Sequence, residues 1–429
     1  MVPKGWKKRD LHKLITIKHG FAFKSEYFSN DGQYVLLTPG SFNESGGFRN
    51  QGPKTKFYSG PIPNGYLLSK GDLLLAMTEQ AEGLLGSPLF VPEDNKYLHN
   101  QRLGLVEINC PDKICSDFLY LLFNHADSRK QITEQSTGTK VKHTSPDRLC
   151  SVIGLIPPLL EQKKIAQILS TWDKAIAVTE KLLANSQKQK KALMQQLLTG
   201  KKRLLDENGV RFSGDWGKFT LSHFGKCIRG VSYKPENICE NESDNTIRLL
   251  RSTNIQNGEL NDKDLIILPK KLVKPMQVLM DGDLAICMAN GSKSLVGKSA
   301  PYKPNDADYT VGAFCALFRP LKSVSSSFVK FLFESNQYQS QLLVILAGSS
   351  INNLKGSDIE SINIDAPLHY KEQQKIAAVL SAADAEISTL EKKLACLKDE
   401  KKALMQQLLT GKRRVSVPVK VEEKEAVSA

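Results

Sequence analysis

The sequence predicts an α+β chain: two α/β domains separated by two long antiparallel helices that form an intramolecular coiled coil, with a pseudo-two-fold internal repeat. Three observations predict it. Residues 190–201 and 401–412 both read KKALMQQLLTGK, 211 positions apart. Between 161–201 and 372–412, 25 of 41 residues are identical, from Glu161 and Glu372 onward. The stretches before each copy repeat more faintly. Trp6 stands before Gly20-Phe-Ala-Phe-Lys24 as Trp216 stands before Gly230-Val-Ser-Tyr-Lys234. Gly71-Asp-Leu-Leu-Leu-Ala-Met77 aligns with Gly282-Asp-Leu-Ala-Ile-Cys-Met288, Gly86 with Gly297, and Gly138-Thr-Lys-Val141 with Gly348-Ser-Ser-Ile351. Self-similarity at a fixed offset is the mark of a duplicated unit.

The order is variable domain, constant helix, variable domain, constant helix. The divisions expected are 1–156 for the first domain, 157–200 for the first helix, 201–366 for a linker and the second domain, 367–412 for the second helix, and 413–429 for a disordered tail. Tyr34–Leu37, Asp72–Ala76 and Leu103–Ile108 are short apolar or alternating runs between Gly, Pro, Asn and Ser, and read as strands. One helix per domain is expected, near Asp117–Phe123 and Phe328–Phe333.

In the constant segments the spacing alternates between four and three. The first seam is Ile165, Leu169, Trp172, Ile176, Thr179, Leu183, Ser186, Lys190, Leu193 and Leu197. The second is Ile376, Leu380, Ala383, Ile387, Leu390, Leu394, Leu397, Lys401, Leu404 and Leu408. This is an a/d heptad stripe. Pro157, Pro158 and Pro367 stand where a helix starts, and Gly200 and Gly411 where one ends. Each helix should rise about 60 Å. Such a stripe must be covered, and the other copy is the simplest partner; pairing between chains is the alternative. Lys190 and Lys401 occupy equivalent seam positions. Their stems are expected to snorkel, the alternative being that they fix register.

The 429 residues carry a net charge of +14 and a sequence pI of about 9.2, which points to a polyanion or an anionic membrane. No apolar run reaches the roughly 20 residues of a membrane span, and the basic segment Met1–Asp10 has no apolar stretch behind it. A cytoplasmic protein with no membrane partner follows as the expectation, and nucleic acid as the partner. Basic and amide residues beside the turn signals are the candidate DNA-binding set: Lys24, Arg49, Arg102, Lys140 and Lys142, then Lys234, Arg251, Lys293, Lys298, Asn352 and Asn353. Arg, Lys, Asn and Gln match base edges in the major groove, and cations neutralise phosphates.

Catalytic chemistry is poorly supported. The eight cysteines form no C-x-x-C pair and read as free thiols, so no metal site is expected. Gly291-Ser-Lys-Ser-Leu-Val-Gly-Lys-Ser299 resembles a phosphate loop but has five residues where that loop needs four. Asp147, Glu161 and Lys163 mimic a nuclease triad, but the second copy carries Gln374 in place of the lysine. There is no Asn-Pro dipeptide, so the loop of an adenine methyltransferase is missing, and the seven histidines show no ligand spacing.

Pro157-Pro-Leu-Leu-Glu-Gln-Lys-Lys-Ile165, the duplicated helix ending Leu193-Met-Gln-Gln-Leu-Leu-Thr-Gly200, and Arg211-Phe-Ser-Gly-Asp-Trp216 entering the second half resemble the specificity subunit of type I restriction-modification systems. Pro367-Leu-His-Tyr-Lys-Glu372 departs from that pattern by one extra residue. The resemblance implies two target recognition domains that read a bipartite site in double-stranded DNA. It implies two adenine-N6 methyltransferase subunits on the helices and domains, and two ATP-driven translocase-nuclease subunits in the full complex. S-adenosylmethionine, ATP and Mg2+ would serve those partners, with no cofactor and no catalysis on this chain alone. A coiled-coil scaffold, or a DNA-binding protein without a sequence-specific restriction-modification role, is the competing reading; binding insensitive to sequence would favour it. A stand-alone nuclease or NTPase is the third.

Overall fold

The computed structural model describes residues 2–79, 81–138, 141–305, 307–348 and 353–416. The chain divides into two compact units, Met1–Thr179 with Lys393–Ala429, and Glu180–Lys392. The tail expected beyond the second helix lies outside the described residues from 417 onward.

In the first unit, Leu73–Ala76 is buried at every position. That is why its sequence is a continuous apolar run: a strand covered on both faces loses the polar alternation. Leu73 and Leu75 enter one core with Phe118, Leu119 and Leu122, whereas Leu74 and Ala76 enter another with Val35, Leu37 and Tyr97. The strand sits inside an antiparallel sheet ordered Ile15–His19, Leu103–Ile108, Leu73–Ala76, Pro88–Phe90. A second sheet orders Phe28–Ser29, Phe57–Tyr58, Tyr34–Leu36 and Tyr97–Leu98, the last pair parallel. The second unit repeats the device. Leu284 and Ile286 face the core of Phe328, Phe331 and Leu332, and Ala285 and Cys287 face Leu250, Tyr309 and Val311.

The two expected domain helices are Ser116–Asn124 and Ser326–Glu334. Each is followed by a second, Ala126–Glu134 or Asn336–Ala347, and later by a short third, Pro146–Cys150 or Gly356–Glu360. One helix per domain was therefore an undercount. Ala126–Glu134 buries only Ser128 and Ile132, so its sequence carries no apolar stripe.

The long helices run Leu159–Leu197 and Tyr370–Leu409. Each ends on a left-handed glycine, Gly200 at φ 69° and Gly411 at φ 68°. A backbone bond then returns past it, Lys202 N to Gln196 O and Arg413 N to Gln407 O, both 3.1 Å, which satisfies a terminal carbonyl. Within the first unit Ile165 and Leu169 are buried in one cluster with Leu408 and Leu409, and Leu404 packs against it. Within the second, Leu197 and Leu198 share a cluster with Ile376 and Leu380, and Leu193 packs against it. Residue numbers rise on one helix as they fall on the other, so each unit contains an antiparallel pair. Trp172, Ile176, Leu183, Ile387 and Leu394 are half-buried along the same stripe.

Each pair is fastened by repeated polar contacts. Glu372, with 1% of its side chain exposed, accepts from Arg203 Nε (2.5 Å), Arg203 Nη2 (2.8 Å) and Trp216 Nε1 (3.4 Å). Glu161 accepts from Trp6 Nε1 (2.8 Å) and from the Arg414 guanidinium. The next residue ties each helix to its domain. Gln162 accepts from Cys115 N and donates to the carbonyls of Lys113 and Pro157; Gln373 accepts from Ser325 N and donates to Pro367 O. The repeated Glu-Gln dipeptide is thus a joint.

Lys190 and Lys401 do more than snorkel. Lys190 Nζ lies 2.5 Å from Asp384 and 2.7 Å from Glu334, and Lys330 Nζ lies 2.6 Å from Asp384. Burial opposes the Asp384 charge, but hydrogen bonds from Lys190 and Lys330 hold its carboxyl below the usual carboxylate range. Lys401 Nζ lies 2.5 Å from Asp173 in the first unit. A lysine–aspartate pair between antiparallel helices is satisfied in one register, so the register-fixing alternative describes these two residues.

Candidate nucleic-acid interface

In each unit the buried central strand runs out into a set of clamped loops. In the first, Met77 N donates to Arg102 O (2.9 Å), Glu79 N to Lys142 O (2.9 Å) and Thr144 N to Met77 O (3.0 Å). Thr78 Oγ1 lies 3.2 Å from His143 Nδ1. From the other side, Gly20 N donates to Leu103 O (3.2 Å) and Phe21 N to His99 O (2.8 Å). These bonds bring together the loops that carry Lys24, Arg102 and Lys142. In the second unit, Met288 N and Ala289 N both donate to Phe314 O (2.8 and 3.1 Å), Gly230 N to Cys315 O (3.1 Å), and Leu354 N to Met288 O (2.8 Å). Ala289 bridges Asn353, and Asn290 Nδ2 donates to Ser252 Oγ (3.2 Å). Lys234, Lys293, Asn353 and the Arg251 segment are gathered there. Lys140 and Asn352 lie outside the described residues.

The cations differ in how free they are. Arg49 donates to Asn43 Oδ1 (3.0 Å) and pairs with Glu44 (2.5 Å), which binds it to its own turn. That hydrogen bond pulls the Glu44 carboxyl below its ordinary range. Arg251 donates to Asp264 O (2.7 Å). Lys24 and Lys234 make matching loose pairs with Glu26 (3.6 Å) and Glu236 (3.7 Å), and Lys142 lies 3.8 Å from Glu79. The Lys24 and Lys234 pairs are exposed on both sides, and such pairs are worth little and exchange readily. Arg102 and Lys293 are exposed with no carboxylate partner among the described residues. Lys298 lines a separate groove with Lys330, Glu334 and Asp384. Sequence reading missed Phe314, 71% exposed at the loop edge, because only basic and amide residues were sought.

His99 supports the turn that carries Arg102. It is fully buried, and its Nε2 donates to Leu103 O (2.9 Å) while Nδ1 has no partner. Burial pulls its pKa down to about 4. The unfolded side chain takes its proton near pH 6.5, so stability is whole above that pH and is lost as pH falls toward 4. Val311 fills the matching place in the second unit. Between pH 7 and pH 4 the wild type should lose about 3 kcal/mol more unfolding free energy than His99→Val. Urea unfolding at both pH values checks this; equal losses would remove His99 as the cause.

Among the described residues no three or more His, Cys, Asp or Glu are grouped to hold a metal, and no helix is long and apolar enough to cross a membrane. Burial pushes the thiols of Cys227 and Cys315 up to about 12, away from nucleophilic use. The suspected phosphate loop leads into the strand Ser299–Pro301, not into the helix that phosphate binding uses.

Comparison with known proteins agrees with this duplicated plan. The chain is 33% identical over 200 residues to the type I restriction enzyme StySPI specificity subunit of Salmonella potsdam, covering 46% of this chain and 43% of the relative. It is 35% identical over 197 residues to the EcoKI specificity subunit of Escherichia coli (strain K12), covering 46% and 42%. These matches therefore span less than half of either relative's length. A crystal structure of the type I restriction-modification system S subunit from M. genitalium shares the fold, with a TM-score of 0.60 at 14% identity over 95% of this chain and 96% of that one. The description "Type I restriction modification DNA specificity domain" matches residues 3–185 and again 213–398, one match for each copy of the repeat. With both halves matched in this way, the chain belongs to the family of type I restriction modification DNA specificity domains.

Proposed function

We propose that this chain is the specificity subunit of a type I restriction-modification complex, and that each domain reads one half of a bipartite site in double-stranded DNA. The observation that carries the reading is the duplicated loop edge. Two copies of a specificity domain each present loops with Arg102, Lys142, Lys234 or Lys293 at the exit of a rigid, fully buried strand. Such loops can neutralise phosphates and reach base edges. The functional division we propose is 1–156 and 201–366 for the two recognition domains, with 157–200 and 367–412 as the spacers between them.

On this reading the helices and domains hold two adenine-N6 methyltransferase subunits and, in the full complex, two translocase-nuclease subunits, in the cytoplasm. S-adenosylmethionine, ATP and Mg2+ act on those partners, and this chain alone is not catalytic. The occupation of Glu161 by Trp6 and Arg414 supports that, since this carboxylate is engaged in a structural contact.

Exchange of the first domain for a relative's should change one half of the methylated motif in host DNA and leave the other half intact. Sequencing of methylated adenines reads this directly. A change in both halves, or methylation without a motif, would overturn the proposal.

A further inference from the structure

The alignment of the two loop edges assigns one position in each domain to reading a base. Met77 and Met288 are equivalent in the repeat, and each donates its N–H to the residue that precedes a central strand. In the first domain that residue is Arg102, before Leu103–Ile108. In the second it is Phe314, before Cys315–Pro320. The turn around it is held from three directions. Gly312 N donates to Leu250 O (2.9 Å), Val231 bridges Gly312, and the Phe314 carbonyl takes two bonds from Met288 and Ala289. Its backbone is hydrogen-bonded in place, yet the residue is 71% exposed. A phenylalanine so exposed on a clamped turn does not serve the core. The loops that hold it are polar: Lys293 has no carboxylate partner among the described residues, Asn353 bridges Ala289, and Asn290 donates to Ser252. That setting suits a polyanion with one apolar feature.

We propose that Arg102 and Phe314 are specificity-determining residues at the same structural position, with different targets. Arg102 fits the O6 and N7 acceptors of guanine, and Phe314 fits the C5-methyl group of thymine. Lys293, four residues after the Ala289 that bonds the Phe314 carbonyl, meets phosphate. The proposal rests on the DNA-reading function above and adds which residue sets which base class in which half-site.

The test uses the full chain with its methyltransferase subunits and a duplex library carrying randomised bases, bound and then sequenced. Phe314→Ala should lower the preference for one A·T pair in one half-site about tenfold, and Phe314→Arg should move that preference to guanine. Arg102→Ala should relax one guanine in the other half-site by a similar factor. The melting temperature of Phe314→Ala should match wild type, since little of the ring is buried. An unchanged motif in a well-folded Phe314→Ala overturns the proposal. So does a uniform loss of affinity without a change of preference, which would place the ring against the backbone. If wild type itself selects no motif, the underlying function fails instead, so the two failures are distinguishable. Should Phe314→Arg not fold, Phe314→Ala alone decides.

Discussion

Replacing Glu372 by alanine is expected to lower the unfolding free energy by about 3–5 kcal/mol, the cost of breaking a buried, hydrogen-bonded ion pair. Glu372 is almost wholly enclosed and takes both arms of the Arg203 guanidinium, which is itself 19% exposed. Removing the carboxylate leaves that cation without its counter-charge and the Trp216 indole N–H without an acceptor. Glu161→Ala should cost less. Its partner Arg414 is 41% exposed, so water replaces part of what is lost. Urea unfolding followed by tryptophan fluorescence gives both values. Equal costs would remove partner exposure as the source of the difference, and a loss under about 1 kcal/mol for Glu372→Ala would mean that the contact is ornamental. A double-mutant cycle with Arg203→Ala separates the pair from the packing of each side chain.

Gly230→Ala should be the second severe change. A Cβ there would stand 2.1 Å from Gly312 O and 2.5 Å from Val311 O. Gly20→Ala meets Asn100 O at 2.0 Å. These obstacles are backbone, which cannot swing aside as a side-chain tip can, so the strands must part by about an ångström. The bonds from Gly230 N to Cys315 O and from Val231 N to Val311 O would lengthen with them. We expect a loss of about 2–4 kcal/mol from overpacking together with broken hydrogen bonds. Sequence-dependent DNA binding should suffer in the half-site read by the altered domain. Thermal unfolding and the binding preference are the two readouts. A Gly230→Ala protein with wild-type melting would show that the loops are not clamped as described.

Much of the plan was legible because duplication writes each constraint twice. The heptad stripe, the prolines before each long helix and the glycine caps follow from backbone rules that hold whatever surrounds them. The Trp-Glu-Arg contact was also on the page: Trp6 and Trp216, Glu161 and Glu372, and Arg203 and Arg414 recur at nearly one offset. It was missed because these residues are far apart in sequence and only folding brings them together. Residue type does not tell that the guanidiniums of Arg49 and Arg251 bond to their own loops. Type alone cannot separate a cation that binds its own chain from one left for a partner, and burial and pairing decide that. Phe314 went unseen for the opposite reason, since an apolar residue is assigned to the core by default.

The first unit is built from two stretches of chain that are distant in sequence, and this sets a schedule for biosynthesis. Ile165 and Leu169 leave the ribosome long before Leu404 and Leu408, which cover the same core; 404 minus 169 is 235 residues. At roughly 5–20 residues per second, the stripe of the first helix waits on the order of ten to fifty seconds for its partner. During that interval the nascent chain exposes an apolar seam that another nascent chain, or a chaperone, can occupy. In the second unit, Glu180–Lys392, the wait is shorter: Leu197 shares its core with Ile376, and 376 minus 197 is 179 residues. Synonymous changes that slow translation between the two helices should therefore lower the soluble yield while leaving the finished protein unchanged.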